Sequence, residues 1–175
     1  LDEPLKPHDA HESVHSKLAL LFKRHLEEQH HVIIGKEFED EFISQHLLGG
    51  NTLVPASIFS NKRLSALEAI VKYLRENESL RNERVATLLG RSQAAVWITY
   101  RNATKKLAAR FEPESTEFFI PTNMLATGGL SPLESVALYL YEEFGLTYHR
   151  IGILLKRDER TIWTVCSRAR KKMKR

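Results

Sequence analysis

Apolar positions in this chain recur at helical spacing. Leu67, Ile70, Val71 and Leu74 fall on one face of a helix, and Leu133, Val136, Ala137 and Leu140 repeat the arrangement. Ser65 and Ser131 are each followed three residues on by a glutamate, Glu68 or Glu134, so both predict a capping-box start; Pro132 takes the favoured first helical position. Gly145 is placed to end the later helix. Val85, Leu88 and Leu89, then Ile151, Leu154 and Leu155, predict a short second helix, opened by Asn82 or a neighbour in one case and by Thr147 in the other. A short break follows, Gly90-Arg91-Ser92 or Lys156-Arg157-Asp158, in which Ser92 and Asp158 are suitable N-caps for a third helix. Its core stripe is Val96, Tyr100, Ala103 and Leu107, matched by Ile162, Cys166, Ala169 and Met173. No strand-like alternation competes with this reading.

The two patterns are copies of one another. Residues 55–106 align without a gap onto 121–172 at a constant offset of 66, and 17 of the 52 positions are identical. Such agreement marks an internal duplication. Each copy predicts a short helix, a tight turn and a longer helix on a shared core, behind a leading helix.

The predicted fold class is therefore all-α: two tandem three-helix, helix-turn-helix domains preceded by a short helical N-terminal segment. The expected boundaries are 1–53 for an acidic N-terminal segment, 54–110 for the first domain, 111–120 for a polar, proline-containing linker and 121–175 for the second domain. In the N-terminal segment Val14, Leu18, Leu21, Phe22 and Leu26 suggest one amphipathic helix, and Phe38, Phe42 and Ile43 begin another. A hairpin this small buries little alone, which suggests packing on the repeats or on a second chain, and hence a dimerisation or regulatory role.

Charge sharpens this picture. The net charge of +4 hides 5 Lys/Arg against 10 Asp/Glu over residues 1–54, 11 against 4 over 55–110, and 10 against 8 over 111–175. Within the last twenty residues nine Lys/Arg face two acids. Local basic charge suits a polyanion, and duplex DNA is the partner expected of a helix-turn-helix; a solvated, dipole-favoured helix end is the plainer reading of the C-terminal run. The longest apolar run is far short of the roughly 20 residues that cross a bilayer, so no membrane association is expected. The single cysteine, Cys166, fits a reducing compartment and a core position, and the expected location is cytoplasmic.

Off the core stripe, the third helices offer Arg91, Gln93, Ala94, Trp97, Arg101 and Lys105 in the first copy, and Arg157, Glu159, Arg160, Thr161, Thr164, Arg168 and Lys172 in the second. Arg and Lys can pair with phosphates or guanine edges, Gln with adenine, and Thr or Ala with a thymine methyl. The candidate DNA-binding set excludes Ala94 and comprises all the others. Arg91 and Arg157, in the turns, suit phosphates better than bases. Trp97 and Trp163 follow core positions directly, so edge-of-core packing is the leading expectation for both, with DNA or partner contact as the alternative.

The second copy resembles the promoter-binding fourth region of sigma-seventy-family RNA polymerase sigma factors. The resemblance rests on Leu146-Thr147-Tyr148-His149-Arg150-Ile151-Gly152, Leu154-Leu155, Arg157-Asp158-Glu159-Arg160-Thr161-Ile162-Trp163 and Ser167-Arg168-Ala169-Arg170-Lys171-Lys172. It implies promoter-type contacts by Arg157, Glu159, Arg160, Thr161 and Thr164. His149 stands where such families often carry an acid and Gly152 where they usually carry Ala; the first copy has Gln93-Ala94-Ala95 in place of much of the reading set. Nothing here resembles the sigma regions that melt promoters or clamp the polymerase core. The resemblance therefore implies a sigma-like transcriptional regulator, with RNA polymerase as a further partner.

The remaining chemistry is sparse. His8, His11 and His15 fall near one helical face but have no accompanying ligand set, and read as a solvated polar face. No glycine-rich phosphate loop, nucleophile elbow or helical metal-hydrolase motif is present, so the sequence predicts no enzyme, metal or cofactor. The alternative function is an interaction module that docks on polymerase or another regulator without reading DNA.

Overall fold

The computed structural model describes residues 52–126 and 129–174, which belong to one compact unit, Thr52–Arg175. The helices expected over the N-terminal segment, its histidine face and its part in dimerisation lie outside the described residues. The unit is mostly helical with a small two-stranded sheet. Strand β1 (Leu53–Pro55) leads through a 3-10 turn (Ala56–Ser60) to helices α1 (Ala66–Glu76), α2 (Asn82–Leu89) and α3 (Gln93–Lys106). The second copy runs through β2 (Phe119–Pro121), α4 (Thr122–Leu125), α5 (Pro132–Glu142), α6 (Tyr148–Leu154) and α7 (Glu159–Met173).

Helix starts follow from local chemistry. Ser65 and Ser131 accept from the backbone N–H groups of Glu68 and Glu134, and those carboxylates accept in return from the serine N–H groups at 2.8 and 2.7 Å. Ser92 accepts from Ala95 N–H at 3.2 Å, Asp158 from Arg160 N–H at 2.8 Å and Thr147 from Arg150 N–H at 3.3 Å. Helix α2 starts at a neighbour of Asn82, with Arg81 as its N-cap, but without a side-chain cap bond. Turns between helices use left-handed backbone at equivalent places, Ser79 (φ 53°) and Gly145 (φ 60°) after the leading helix, Gly90 (φ 60°) and Lys156 (φ 49°) after the short one. At these two pairs of equivalent turns each copy places glycine once, and the second copy has a further positive-φ glycine, Gly129, ahead of α5.

The strands pair antiparallel, Leu53 with Pro121, Val54 with Ile120 and Pro55 with Phe119. With the offset of 66, each pair joins a residue to the counterpart of one on its own strand, a pattern that arises only about a local two-fold axis passing between Val54 and Ile120. Flanking bonds obey the same rule: Ala56 N–H donates to Phe118 O at 2.9 Å and Thr122 N–H to Thr52 O at 3.0 Å. Packing does too, since α1 meets α5, α2 meets α4, and α6 meets the 3-10 turn that is the counterpart of α4. The duplication has folded as a pseudo-dimer within one chain.

Val54 and Ile120 are fully buried on this axis, and Ile70, Leu74, Leu140, Ile151, Leu155 and Ile162 fill the two flanking cores. Burying each such side chain contributes about 1.5–3 kcal/mol. Three-residue strands are too short to carry a readable alternation, which is why the sheet is invisible in the sequence pattern. The expected linker 111–120, polar from Glu112 to Glu117, lies docked along the unit rather than spanning solvent, and its last two residues belong to β2. Phe111 and Phe118 are buried; Ser57 Oγ donates to Glu114 O at 2.6 Å and Asn77 Nδ2 to Phe111 O at 2.9 Å. Glu76 collects the fully buried Lys72 ammonium at 2.5 Å, Tyr100 Oη at 3.2 Å and Phe111 N–H at 3.2 Å. A side chain of α1, one of α3 and the start of this segment therefore meet at one carboxylate.

Three stripe positions are not buried. Tyr100 is half-buried, its hydroxyl on Glu76. Met173 is 61% exposed because it lies in the last turn of α7, and Leu107 is only half-buried where α3 ends. Leu67, Leu133 and Leu154 also lie at the margins of their faces.

Candidate nucleic-acid interface

The short helices α2 and α6 and the leading helices α1 and α5 all pack on the longer helices of their own copies, α3 and α7. Only Val96 and Ala103 of α3, and Ile162, Cys166 and Ala169 of α7, are buried. The remaining faces are turned outward because one stripe is enough to hold each helix. The turns that aim them are closed by equivalent bonds: Arg91 N–H donates to Ala86 O at 2.9 Å, and Arg157 N–H to Gly152 O at 2.8 Å. In the second turn the chain folds so close that a Cβ on Gly152 would stand 2.8 Å from Arg157 O.

Arg91, Gln93, Trp97, Arg101 and Lys105 are exposed on one side of α3 and the turn before it, and Glu159, Arg160, Thr161 and Arg168 are exposed on α7. Trp97 is 51% and Trp163 57% exposed, so neither packs at the core edge. The buried stripes accept Val96 and Ile162 and turn away before the next residue. Arg101 lies over the Trp97 ring at 5.5 Å. Trp163 instead borders an open hollow of about 440 Å³ with Tyr148, Asp158, Glu159 and Arg160. Across the turn, His149 Nδ1 lies 3.3 Å from Glu159 Oε2.

Two expected contact residues, Thr164 and Lys172, make internal bonds, and a third, Arg157, is half-buried. Thr164 is half-buried and its hydroxyl donates to Arg160 O at 2.8 Å, a bond within the helix. Arg157 is half-buried, with its Nε enclosed and without a hydrogen-bond partner among the described residues. Lys172 reaches back 2.7 Å to Glu134 Oε2, the carboxylate of the α5 capping box, and Lys106 makes the equivalent 2.7 Å contact with Glu68. Burial pushes both glutamates up. The lysine bond and the serine backbone and hydroxyl bonds outweigh it, so both carboxyls sit below their ordinary value. Lys106 and Lys172 thus latch the end of each third helix to the start of each leading helix. Their neighbours Lys105 and Lys171 are exposed counterparts of one another. Lys171 was missed as a surface cation although the offset of 66 points to it from Lys105.

A second bridge joins the same helices with its chemistry exchanged between copies. Arg75 of α1 lies over Tyr100 of α3, whereas Arg170 of α7 lies over Tyr141 of α5 at 4.5 Å and donates to Tyr148 Oη at 2.9 Å. Cys166 is fully buried; burial first, and Glu142 besides, push its thiol up to about 11 against the opposing pull of Arg170. Among the described residues no group of three or more His, Cys, Asp or Glu could hold a metal ion, and no helix is long and apolar enough to cross a membrane.

Comparison with protein-family models, with curated proteins and with solved structures found no match to this chain.

Proposed function

We propose that this chain is a sequence-specific, duplex-DNA-binding transcriptional regulator with two helix-turn-helix units, of the kind the sigma-seventy fourth region resembles. The observation that carries this reading is the outward face of each third helix. Each is held by a short helix and a close turn, and each presents arginine, lysine and hydrogen-bonding side chains around an exposed tryptophan. A helix offered this way fits the roughly 12 Å major groove, with cations at its flanks for phosphates and polar groups in its first turns for base edges. The second copy suits base reading better, because Glu159, Arg160 and Thr161 stand where the first copy has Gln93, Ala94 and Ala95.

Binding to duplexes selected from random sequence tests this. Affinity should fall steeply with salt, and Arg160→Ala should erase preference at one or two base positions. Equal loss of affinity across all sequences would remove Arg160 from the reading set, and no enrichment of any duplex would overturn the proposal.

A second reading has one observation in its favour. Ile98 is 51% exposed beside Trp97, and an exposed apolar pair on the weaker reading helix suits a protein partner such as RNA polymerase. Capture of polymerase without DNA, lost in a Trp97→Ala, Ile98→Ala variant, would assign the first copy that role.

A further inference from the structure

The internal two-fold axis restricts what a bound duplex can look like. We infer that a single chain engages its DNA as a pseudo-palindrome, with two half-sites in inverted orientation that match in phosphate frame and differ in base sequence. This rests on the DNA-binding reading above and adds to it an architecture for the target.

Two observations carry the inference. Pairing of Val54 with Ile120, the mirrored bonds from Ala56 and Thr122, and the mirrored packing of α2 on α4 and α6 on the 3-10 turn all obey one dyad, so α3 and α7 are related by that dyad. A body with a two-fold axis that lays both halves on one duplex must align its axis with a dyad of the duplex. Dyads of B-DNA exchange the antiparallel strands, so the contacted phosphates are related by inversion and never by translation. Helix-turn-helix units on a loose tether could instead occupy direct repeats. Here the segment between the copies is docked through Phe111, Phe118 and the Ser57–Glu114 bond, and the copies cannot be reoriented independently.

The second observation is which positions the copies share. The turn arginines Arg91 and Arg157 and the exposed Lys105 and Lys171 are retained, and these suit phosphates. The first-turn triplets, Gln93-Ala94-Ala95 and Glu159-Arg160-Thr161, share no residue. The backbone frame is therefore symmetric and the base reading is not, so one chain binds a two-fold site in a single direction.

The test uses the whole chain on duplexes enriched from a random pool, with phosphate-ethylation interference to map contacts and sedimentation to count chains per duplex. One chain per duplex is expected, with two clusters of sensitive phosphates related by a dyad and unequal base preferences in the two halves. Lys105→Ala and Lys171→Ala should each weaken the cluster in a different half, and each should lower the salt slope by about 1. A single cluster, clusters related by translation, two chains each supplying one cluster, or both variants acting on the same half would overturn this inference while leaving DNA binding intact. Failure to enrich any duplex would instead overturn the DNA-binding reading on which it stands.

Discussion

Lys171 and Lys172 are adjacent in sequence and alike in charge, yet the structure gives them different work. Lys172 closes a 2.7 Å contact on Glu134, whose side chain is 7% exposed, whereas the Lys172 side chain is 47% exposed. A hydrogen bond to a charged group is worth about 1.5–3 kcal/mol. The half-exposed ammonium is screened, which brings the expected loss for Lys172→Met to about 1 kcal/mol, or a Tm lower by about 4 °C in a unit of this size. The pH dependence follows from the depressed Glu134 value. A carboxyl whose folded pKa lies below its unfolded one contributes stability above the unfolded value, about 4.3, and loses it as pH falls through the folded value. The gap between wild type and Lys172→Met in urea unfolding should thus be full at neutral pH and close in acid. Lys171→Ala should leave stability within about 0.5 kcal/mol and reduce the salt slope of DNA binding by about 1. A Lys172→Met variant with wild-type stability and a reduced salt slope would refute the latch and return Lys172 to the DNA-contacting set.

Three further outcomes are expected. Gly152→Ala should destabilise by about 1–2 kcal/mol despite the better helix propensity of alanine, because the new Cβ would stand 2.8 Å from a backbone oxygen; thermal unfolding reads the sign. Ser79→Gly and Lys156→Gly should each stabilise by about 0.5–1 kcal/mol by relieving left-handed backbone at φ 53° and 49°, and a lowered denaturation midpoint for both would contradict the strain argument. Cys166, fully buried with its thiol raised to about 11, should resist a thiol reagent at about pH 8 in the native protein and react at once in denaturant. Rapid native labelling would show that the core beneath α7 opens readily.

Helix identity was legible in the sequence because its signals are local. The capping boxes at Ser65–Glu68 and Ser131–Glu134, the caps at Ser92, Thr147 and Asp158, and the apolar spacings lie within one or two turns of the residues they organise. The duplication was legible too, since it needs only comparison of the chain with itself. What the sequence left open was whatever depends on partners far along the chain. Which of two neighbouring lysines turns back to a glutamate 38 residues away is decided by the crossing of α5 and α7. Exposure of Trp97 and Trp163 is decided by where each narrow buried stripe ends. Residues 111–120 look like a tether by composition, but two phenylalanines and a handful of backbone bonds dock them. The two-fold arrangement rests on a three-residue strand pair, too short to leave a periodic trace and formed only when the copies meet. Local chemistry determined the helices and that there are two sets of them; tertiary packing alone decided that the sets face each other across a dyad, because an axis is a relation between copies and belongs to neither.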